Sequence, residues 1–262
     1  MLALSGAGIS TESGIPDYRG PDSVRRKGSP ITYQEFVRSE TARRRYWARS
    51  FLGWPAMREK RPNAGHRALA RLETAGAVHG VLTQNVDGLH QASGSRRVLE
   101  LHGALAWVRC LRCGRLEPRD ALQLRLERLN PDFARERAVM APDGDAELDA
   151  GLEKTFHLAG CRGCGGTLKP DVVFFGENVP RSRVARSWTM LERAEVLLVL
   201  GSSLTVRSGY RYVVAAAEAR KPVALVNDGP TRGDGDATLR LDGRLGRLLP
   251  ALADRLLGPA AG

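Results

Sequence analysis

Short apolar runs recur along the chain at Leu2–Leu4, Val78–Thr83, Val98–Leu101, Val172–Phe175, Val196–Leu200, Val223–Val226 and Leu239–Leu241. They are too short for helices and rich in Val and Leu, which predicts strands buried on both faces. Between several of them apolar positions return at the helical period, as in Asn63–Ala75 and Arg211–Arg220. Strands alternating with such helices predict an α/β fold, a Rossmann-like, mostly parallel sheet with helices on both faces. Sheets of this kind bind ligands beyond the carboxyl ends of their strands. Polar clusters fall at those ends: Ser5-Gly-Ala-Gly8, Gln84-Asn85-Val86-Asp87, His102-Gly103, Gly201-Ser202-Ser203 and Asn227-Asp228-Gly229.

Two stretches interrupt the alternation. Residues 22–62 are rich in Arg and aromatics and predict a helix around Thr41–Leu52; residues 109–166 hold all four cysteines and a loop-like Ala141-Pro-Asp-Gly-Asp145. The expected division is a main domain of residues 1–21, 63–108 and 167–262, with 22–62 and 109–166 forming a small domain that combines a helical insertion with a four-cysteine module.

Composition narrows this picture only in part. At 262 residues and 42% hydrophobic content, the chain can bury a sizeable core. No apolar stretch approaches the roughly eighteen residues of a membrane-spanning helix. The first strand begins at once, with no leader before it, so a cytoplasmic protein with no membrane partner is expected. The net charge of +11 comes from 35 Arg and 5 Lys scattered along the chain. That scatter reads as solvated helix faces; nucleic acid is the competing reading. Oligomeric state is not encoded in any pattern here, and a monomer is the working expectation.

Four features carry chemistry. Gly6-Ala7-Gly8 directly after a strand suits close approach of backbone amides to a diphosphate, or a purely structural turn. It departs from the dehydrogenase fingerprint, because Thr11 stands where a third Gly belongs and Gly14-Ile-Pro16 breaks the helix that should follow. Hydride transfer therefore ranks last. Cys110-x-x-Cys113 and Cys161-x-x-Cys164, each followed by Gly, can surround one Zn²⁺ tetrahedrally; such a closed site staples a module and does not activate water. A redox pair is the alternative. The 47 residues between the pairs exceed a minimal ribbon and predict a projecting loop or helix. Finally, His102 at a strand end beside Gly103 can serve as a general base near neutral pH, or simply pack.

Taken together, Gly6-Ala-Gly-Ile-Ser10, Gly14-Ile-Pro-Asp-Tyr-Arg19, Thr83-Gln-Asn-Val-Asp-Gly-Leu-His90, Leu101-His-Gly103, the two C-x-x-C pairs, Val172-Val-Phe-Phe-Gly-Glu177 and Gly201-Ser-Ser203 resemble sirtuins, in that family's order and over nearly the whole chain. Arg45-Tyr-Trp-Ala-Arg49, Gly53-Trp-Pro55, Ala141–Asp145, Leu168-Lys-Pro-Asp171 and Gly229-Pro-Thr-Arg232 resemble the class II branch that contains sirtuin 4. Sirtuins usually carry several residues before the first glycine motif and this chain supplies five, so a late start or a trimmed sheet edge is expected.

The resemblance implies NAD-dependent removal of acyl groups from lysine, releasing nicotinamide and O-acyl-ADP-ribose, with an acyl-lysine protein or peptide as partner, NAD as co-substrate and one structural Zn²⁺ held by Cys110, Cys113, Cys161 and Cys164. His102 is implied as general base, with Asn85 and Asp87 in the ribose and nicotinamide pocket. Gln84, Val86 and Ser10 lie beside them, while Asp17, Tyr18 and Arg19 belong to a mobile cofactor loop. The amides of Gly6, Ala7 and Gly8 are implied to face the diphosphate. Gly201, Ser202, Ser203, Asn227, Asp228, Gly229 and Leu245 are implied to line the far side of NAD. Val172, Val173, Phe174, Phe175 and Gly176 are implied to pair with the substrate backbone as an added strand; His90 is read as structural.

Tyr46 and Arg49, spaced i, i+3 on the predicted helix, put a phenol and a guanidinium on one face. The spacing is similar to that with which desuccinylating sirtuins read an acidic acyl group, and a guanidinium can clamp a carboxylate. Glutaryl-type acyl groups are one reading; an Arg solvated among Arg43, Arg44 and Arg45 is the other. The competing functions are mono-ADP-ribosyl transfer from the same pocket and, in a different class, a zinc-ribbon nucleic-acid binder.

Overall fold

The computed structural model describes residues 1–18, 30–133 and 151–258, and these fall into two compact units. The first comprises the described parts of 1–24, 60–102 and 179–262. Its six strands are β1 (Leu2–Ser5), β2 (Gly80–Thr83), β3 (Val98–Glu100), β7 (Leu197–Leu200), β8 (Val223–Asn227) and β9 (Leu239–Asp242). They pair in the order β3-β2-β1-β7-β8-β9, and every pairing is parallel. That is the Rossmann order, whose direction of winding reverses between the central strands β1 and β7.

The central strands read as unbroken apolar runs because both faces are covered: β1, β2 and β7 are buried at every residue. One face packs Leu2, Leu4, Leu82 and Val199 with Tyr212 and Val213 of α7 (Arg207–Glu218). The other packs Ala3, Val81 and Leu198 with Leu69 and Leu72 of α3 (Ala64–Thr74) and Leu249 of α8 (Leu245–Leu257). Asn63 sets the start of α3: its side chain accepts from the His66 amide while the His66 ring accepts from the Asn63 amide, satisfying two otherwise orphaned donors. A further helix, α6 (Arg181–Glu192), precedes β7, and a single turn, α4 (Leu89–Ala92), follows β2. The edge strand β9 is exposed throughout.

The second unit comprises the described parts of 25–59 and 103–178. Its helices are α1 (Tyr33–Arg38), α2 (Glu40–Arg58) and α5 (Arg119–Leu129), and its strands β4 (Gly103–Cys110), β5 (Leu116–Pro118) and β6 (Leu168–Val172) form an antiparallel sheet ordered β5-β4-β6. Its core gathers Phe36, Tyr46, Trp47, Phe51, Leu122 and Phe156 around Val108 and Leu168.

The run Val172–Phe175 departs from expectation. Its strand is Leu168–Val172, and it pairs antiparallel with β4 instead of joining the parallel sheet. The physical reason is the partner it finds: Val108, Arg109 and Cys110 face Pro170, Lys169 and Leu168, which closes the sheet under the cysteines. Residues 103–108 and 167–178 accordingly cluster with the second unit. The helix expected at Thr41–Leu52 is longer: Ser39 caps its start by accepting from the Ala42 amide, and the helix continues past Pro55 to Arg58. Ala141–Asp145 lies outside the described residues.

Candidate active site and metal centre

In the first unit the loops after β1 and β7 meet at the point where the winding reverses. The Gly6 amide donates to the Leu200 carbonyl at 2.9 Å and the Gly8 amide to the Gly201 carbonyl at 2.8 Å. A Cβ on Gly6 would lie 2.7 Å from Ser202 Cβ, and one on Gly8 2.9 Å from Gly201 Cα. These two glycines therefore exist for backbone-to-backbone contact, and their amides are committed to it. Of the three residues expected to face a diphosphate, Gly6 and Gly8 thus carry amides that already have protein partners. As Gly14-Ile-Pro16 predicts, no α-helix follows β1; two 3-10 turns, Ala7–Ile9 and Thr11–Ser13, end at Gly14 with φ 74°.

A chain of polar contacts runs along the strand ends. Asn85 Nδ2 donates to the Gly6 carbonyl and to Ser10 Oγ, both at 3.1 Å, and Ser10 Oγ donates to Asp87 Oδ2 at 2.7 Å. Burial pushes the Asp87 carboxyl up, opposed by the Leu89 amide and the Ser10 hydroxyl. Ser202 Oγ donates to Gln84 Oε1 at 2.8 Å. Asn227 closes its own turn by donating to the Gly229 carbonyl at 2.8 Å, while the Gly229 amide donates to Asp242. Leu245 is buried, and its Cδ1 lies 2.8 Å from where a Gly201 Cβ would stand. Ser203 accepts the Arg232 amide on its carbonyl at 3.0 Å. Asp17 is buried and Tyr18 exposed; Arg19 lies outside the described residues.

His102 is half-buried two residues beyond β3. Its Nδ1 is 3.0 Å from the Gln84 carbonyl and its Nε2 2.8 Å from Ser208 Oγ. A carbonyl only accepts, so Nδ1 carries the proton; Nε2 then holds the lone pair and accepts from Ser208. Burial lowers the pKa of the ring, the Gln84 carbonyl raises it, and the Arg211 and Arg183 charges lower it. The result is a neutral imidazole whose Nε2 presents its lone pair.

Two contributors escaped the sequence reading. Ser208 sits in the first turn of α7, where a serine carries no pattern of its own. Leu204 adopts φ 55°, a conformation uncommon for a residue with a Cβ and often stored at functional loops.

His90 is buried, with Nε2 2.8 Å from Ser5 Oγ, and Ser5 Oγ donates in turn to Thr83 Oγ1. Its ring packs edge-on against His66 at 5.0 Å. It supports the strand ends from beneath.

In the second unit the four Sγ atoms of Cys110, Cys113, Cys161 and Cys164 lie within 4.8 Å of one another, with Cys110 to Cys164 at 3.5 Å and Cys113 to Cys161 at 3.7 Å. Sulfurs bound about 2.3 Å from one tetrahedral Zn²⁺ stand about 3.8 Å apart. All four are free thiols, not disulfides. Each pair wraps a knuckle: the Arg112 amide donates to Cys110 Sγ and the Gly163 amide to Cys161 Sγ, both at 3.4 Å. Gly114 and Gly165 turn the chain back at φ 74° and 70°. The donor set fits zinc, with no place left for a reacting water.

Tyr46 is packed among Phe36, Trp47 and Phe174, with ring centroids 5.1–5.5 Å apart. Arg49 is 9% exposed, so the alternative of a guanidinium solvated on the helix surface is corrected: the i, i+3 pair faces inward. In Val172–Gly176 the Phe175 carbonyl accepts from the Tyr33 amide, the Phe174 carbonyl from the Glu177 amide, and the Gly176 carbonyl from Gln34 Nε2. Beyond Val172 the strand does not continue; Phe175 makes an isolated parallel bridge to Thr32 before the turn at Gly176, and several backbone groups of the segment already have partners.

Residues 6–208 match the family model described as the Sir2 family. An NAD-dependent protein deacetylase 1 from Streptomyces coelicolor is 56% identical over 98% of this chain and 86% of its own length. The NAD-dependent protein lipoamidase sirtuin-4, mitochondrial, of Bos taurus is 47% identical over 97% of this chain and 82% of its own. Among solved structures, one described as Sir2 with a p53 peptide and NAD+ aligns with a TM-score of 0.74 at 29% identity, covering 97% of this chain and 92% of that one. Another, Sir2 bound to acetylated peptide, gives 0.73 at 27% identity over 98% and 93%. No described helix is long and apolar enough to cross a membrane. With a reversed-winding parallel sheet, a strand-end histidine, a four-cysteine knuckle pair and relatives alike over almost its whole length, the chain belongs to the Sir2 family.

Proposed function

We propose that this chain is an NAD-dependent protein-lysine deacylase in which His102 Nε2 is the general base. The observation that carries the reading is the tautomer: the Gln84 carbonyl takes the Nδ1 proton, leaving Nε2 able to accept one from a ribose hydroxyl. NAD supplies the electrophilic sugar and the nicotinamide leaving group. The first unit supplies the groups to hold it: Ser10, Asn85 and Asp87 form one hydrogen-bonded set toward ribose and nicotinamide, with Val86 between them in the chain, and Gln84 is fixed by Ser202. Ser203, Asn227, Asp228, Gly229 and Leu245 serve the remainder of the dinucleotide, and Ala7 is the amide of the glycine motif assigned to the diphosphate. Asp17 and Tyr18, with Arg19 next in sequence, are assigned to shielding the sugar from water. Binding of the acyl-lysine peptide is assigned to Val172–Gly176 of the second unit, beside the wall of Phe36, Tyr46 and Phe174. Zn²⁺ at the four cysteines braces that unit.

A preference for acidic acyl groups rests on the inward-facing Tyr46 and Arg49, since a guanidinium suits a carboxylate better than a methyl group. A panel of acyl-lysine peptides with NAD, followed by nicotinamide release and product mass, tests both levels. The expected outcome is O-acyl-ADP-ribose from wild type and a loss of at least about a hundredfold in His102→Ala, in line with general-base contributions. The ratio of kcat/KM for glutaryl over acetyl peptide falls in Arg49→Ala; an unchanged ratio rejects the clamp. A peptide that gains ADP-ribose instead of losing its acyl group overturns the deacylase reading in favour of ADP-ribosyl transfer.

A further inference from the structure

The lone pair that makes His102 a base is already engaged. Ser208 Oγ lies 2.8 Å from Nε2, and as Nδ1 holds the ring proton, the hydroxyl is the donor. Ser208 is placed by the first turn of α7, after Val206, whose carbonyl accepts the amides of Gly209 and Tyr210. Gly209 packs against the same loop: a Cβ there would lie 2.6 Å from Gln84 Nε2 and 2.8 Å from Gln84 Cδ, so the Gln84 side chain would have to shift. One short sequence, Ser208-Gly209, thus touches both residues that define the base, the imidazole through the hydroxyl and the Gln84 side chain through the bare Cα.

Around the ring stand the Gln84 carbonyl from the loop after β2, the Arg211 charge from α7 and the Arg183 charge from α6. Arg211 is held over the rings of Trp188 and Tyr212 at 5.5 and 4.9 Å and donates to Tyr212 Oη at 2.7 Å. Ser208 is the one neutral hydroxyl shown bonded to Nε2.

We infer that Ser208 is a positioning residue for the deacylase reaction: its hydroxyl holds His102 Nε2 in the orientation of the resting enzyme and yields that place to a ribose hydroxyl of NAD. The inference rests on the function proposed above. A ring held at both nitrogens cannot rotate about its χ2 bond without breaking a hydrogen bond, so the base is oriented before the cofactor arrives. When a ribose hydroxyl gives its proton to Nε2, the imidazolium keeps its Nδ1–H on the Gln84 carbonyl, and Ser208 can no longer donate to Nε2. Its oxygen lone pairs then face a donor, so the same side chain tolerates both protonation states.

The test compares wild type, Ser208→Ala and Ser208→Thr with histidine nitrogens labelled, the His102 signals being assigned by their absence in His102→Ala. In the protein without NAD, wild type and Ser208→Thr are expected to show a hydrogen-bonded Nε2 acceptor. In Ser208→Ala the Nε2 resonance moves to that of a lone pair without a donor, while Nδ1 is unchanged. In turnover, Ser208→Ala loses on the order of tenfold in kcat, as a loosened catalytic group does, with KM for NAD changed less than about twofold and Ser208→Thr close to wild type. An Nε2 resonance identical in wild type and Ser208→Ala overturns the inference, as does Ser208→Ala turnover equal to wild type. If wild type turns over no acyl peptide, the proposed function fails instead, and the resonances still report whether Ser208 holds the ring.

Discussion

Gly201 decides more than its size suggests. It sits at φ 59°, and an added Cβ would lie 2.5 Å from the Ile9 amide nitrogen and 2.7 Å from the Gly8 carbonyl carbon. Both loops of the candidate cofactor site would have to part. Gly201→Ala is expected to cost about 3 kcal/mol, combining the left-handed backbone penalty with overpacking. Gly76→Ala, also left-handed at φ 79° but with nothing within 4 Å, carries the backbone share alone, about 1 kcal/mol. Chemical unfolding of the two variants checks this; equal losses would show that the close approach of the loops carries no weight. The glycine motif was legible in the sequence as a site of close backbone approach. Its partner was not, because the carbonyls of Leu200 and Gly201 come from the far end of the chain.

At the scale of elements, the cysteine knuckles brace the sheet of β4, β5 and β6, with Cys110 ending β4 and pairing with Leu168 of β6. A metal held by four thiolates contributes folding free energy directly, since the unfolded chain has no preformed site. Chelation, or Cys110→Ser, is therefore expected to release one equivalent of zinc and melt the second unit, with loss of near-ultraviolet signal from Trp47 and Trp54. NAD binding by the first unit serves as the control. Zinc release with no change in that signal would reduce the knuckles to an ornament of the surface. Spacing alone made this centre readable. The course of Val172–Phe175 was not readable, because an apolar run carries no mark of whether its neighbour lies parallel or antiparallel, and Glu177 holds the turn through bonds to Phe174 and an ion pair with Lys169 that appear only once the chain has folded.

For the whole molecule, acid is the informative perturbation. His66 and His90 are buried in ring contact, and Nε2 of His66 and Nδ1 of His90 find no partner among the described residues. Burial, with the Arg67 charge, lowers the His66 pKa to about 4; burial, with the neighbouring His66, lowers that of His90 to about 3. Both lie below the unfolded value near 6.5, so the unfolded chain binds the extra protons. Stability is complete above about pH 6.5 and is lost as pH falls toward 4 and 3. Between pH 6.5 and 5 each histidine removes about 2 kcal/mol. Urea unfolding at pH 7 and pH 5 checks this, with His66→Phe expected to remove its own share of the slope. A midpoint that does not move with pH would contradict the burial.

What the sequence determined by itself was whatever is written in local spacing: strands and helices from their periods, the thiolate set from two C-x-x-C pairs, the place of His102 at a strand end, and the Sir2 family from the order of its motifs. The tertiary structure decided everything that depends on which distant segments meet. It assigned the Nδ1 proton through Gln84, brought Ser208 to Nε2 from 106 residues away, turned Arg49 inward and bonded the Gly6 and Gly8 amides to the carbonyls of Leu200 and Gly201. The reason is physical: periodicity records how a segment divides between core and solvent, whereas a hydrogen bond between remote residues leaves no trace in either neighbourhood until the chain has closed on itself.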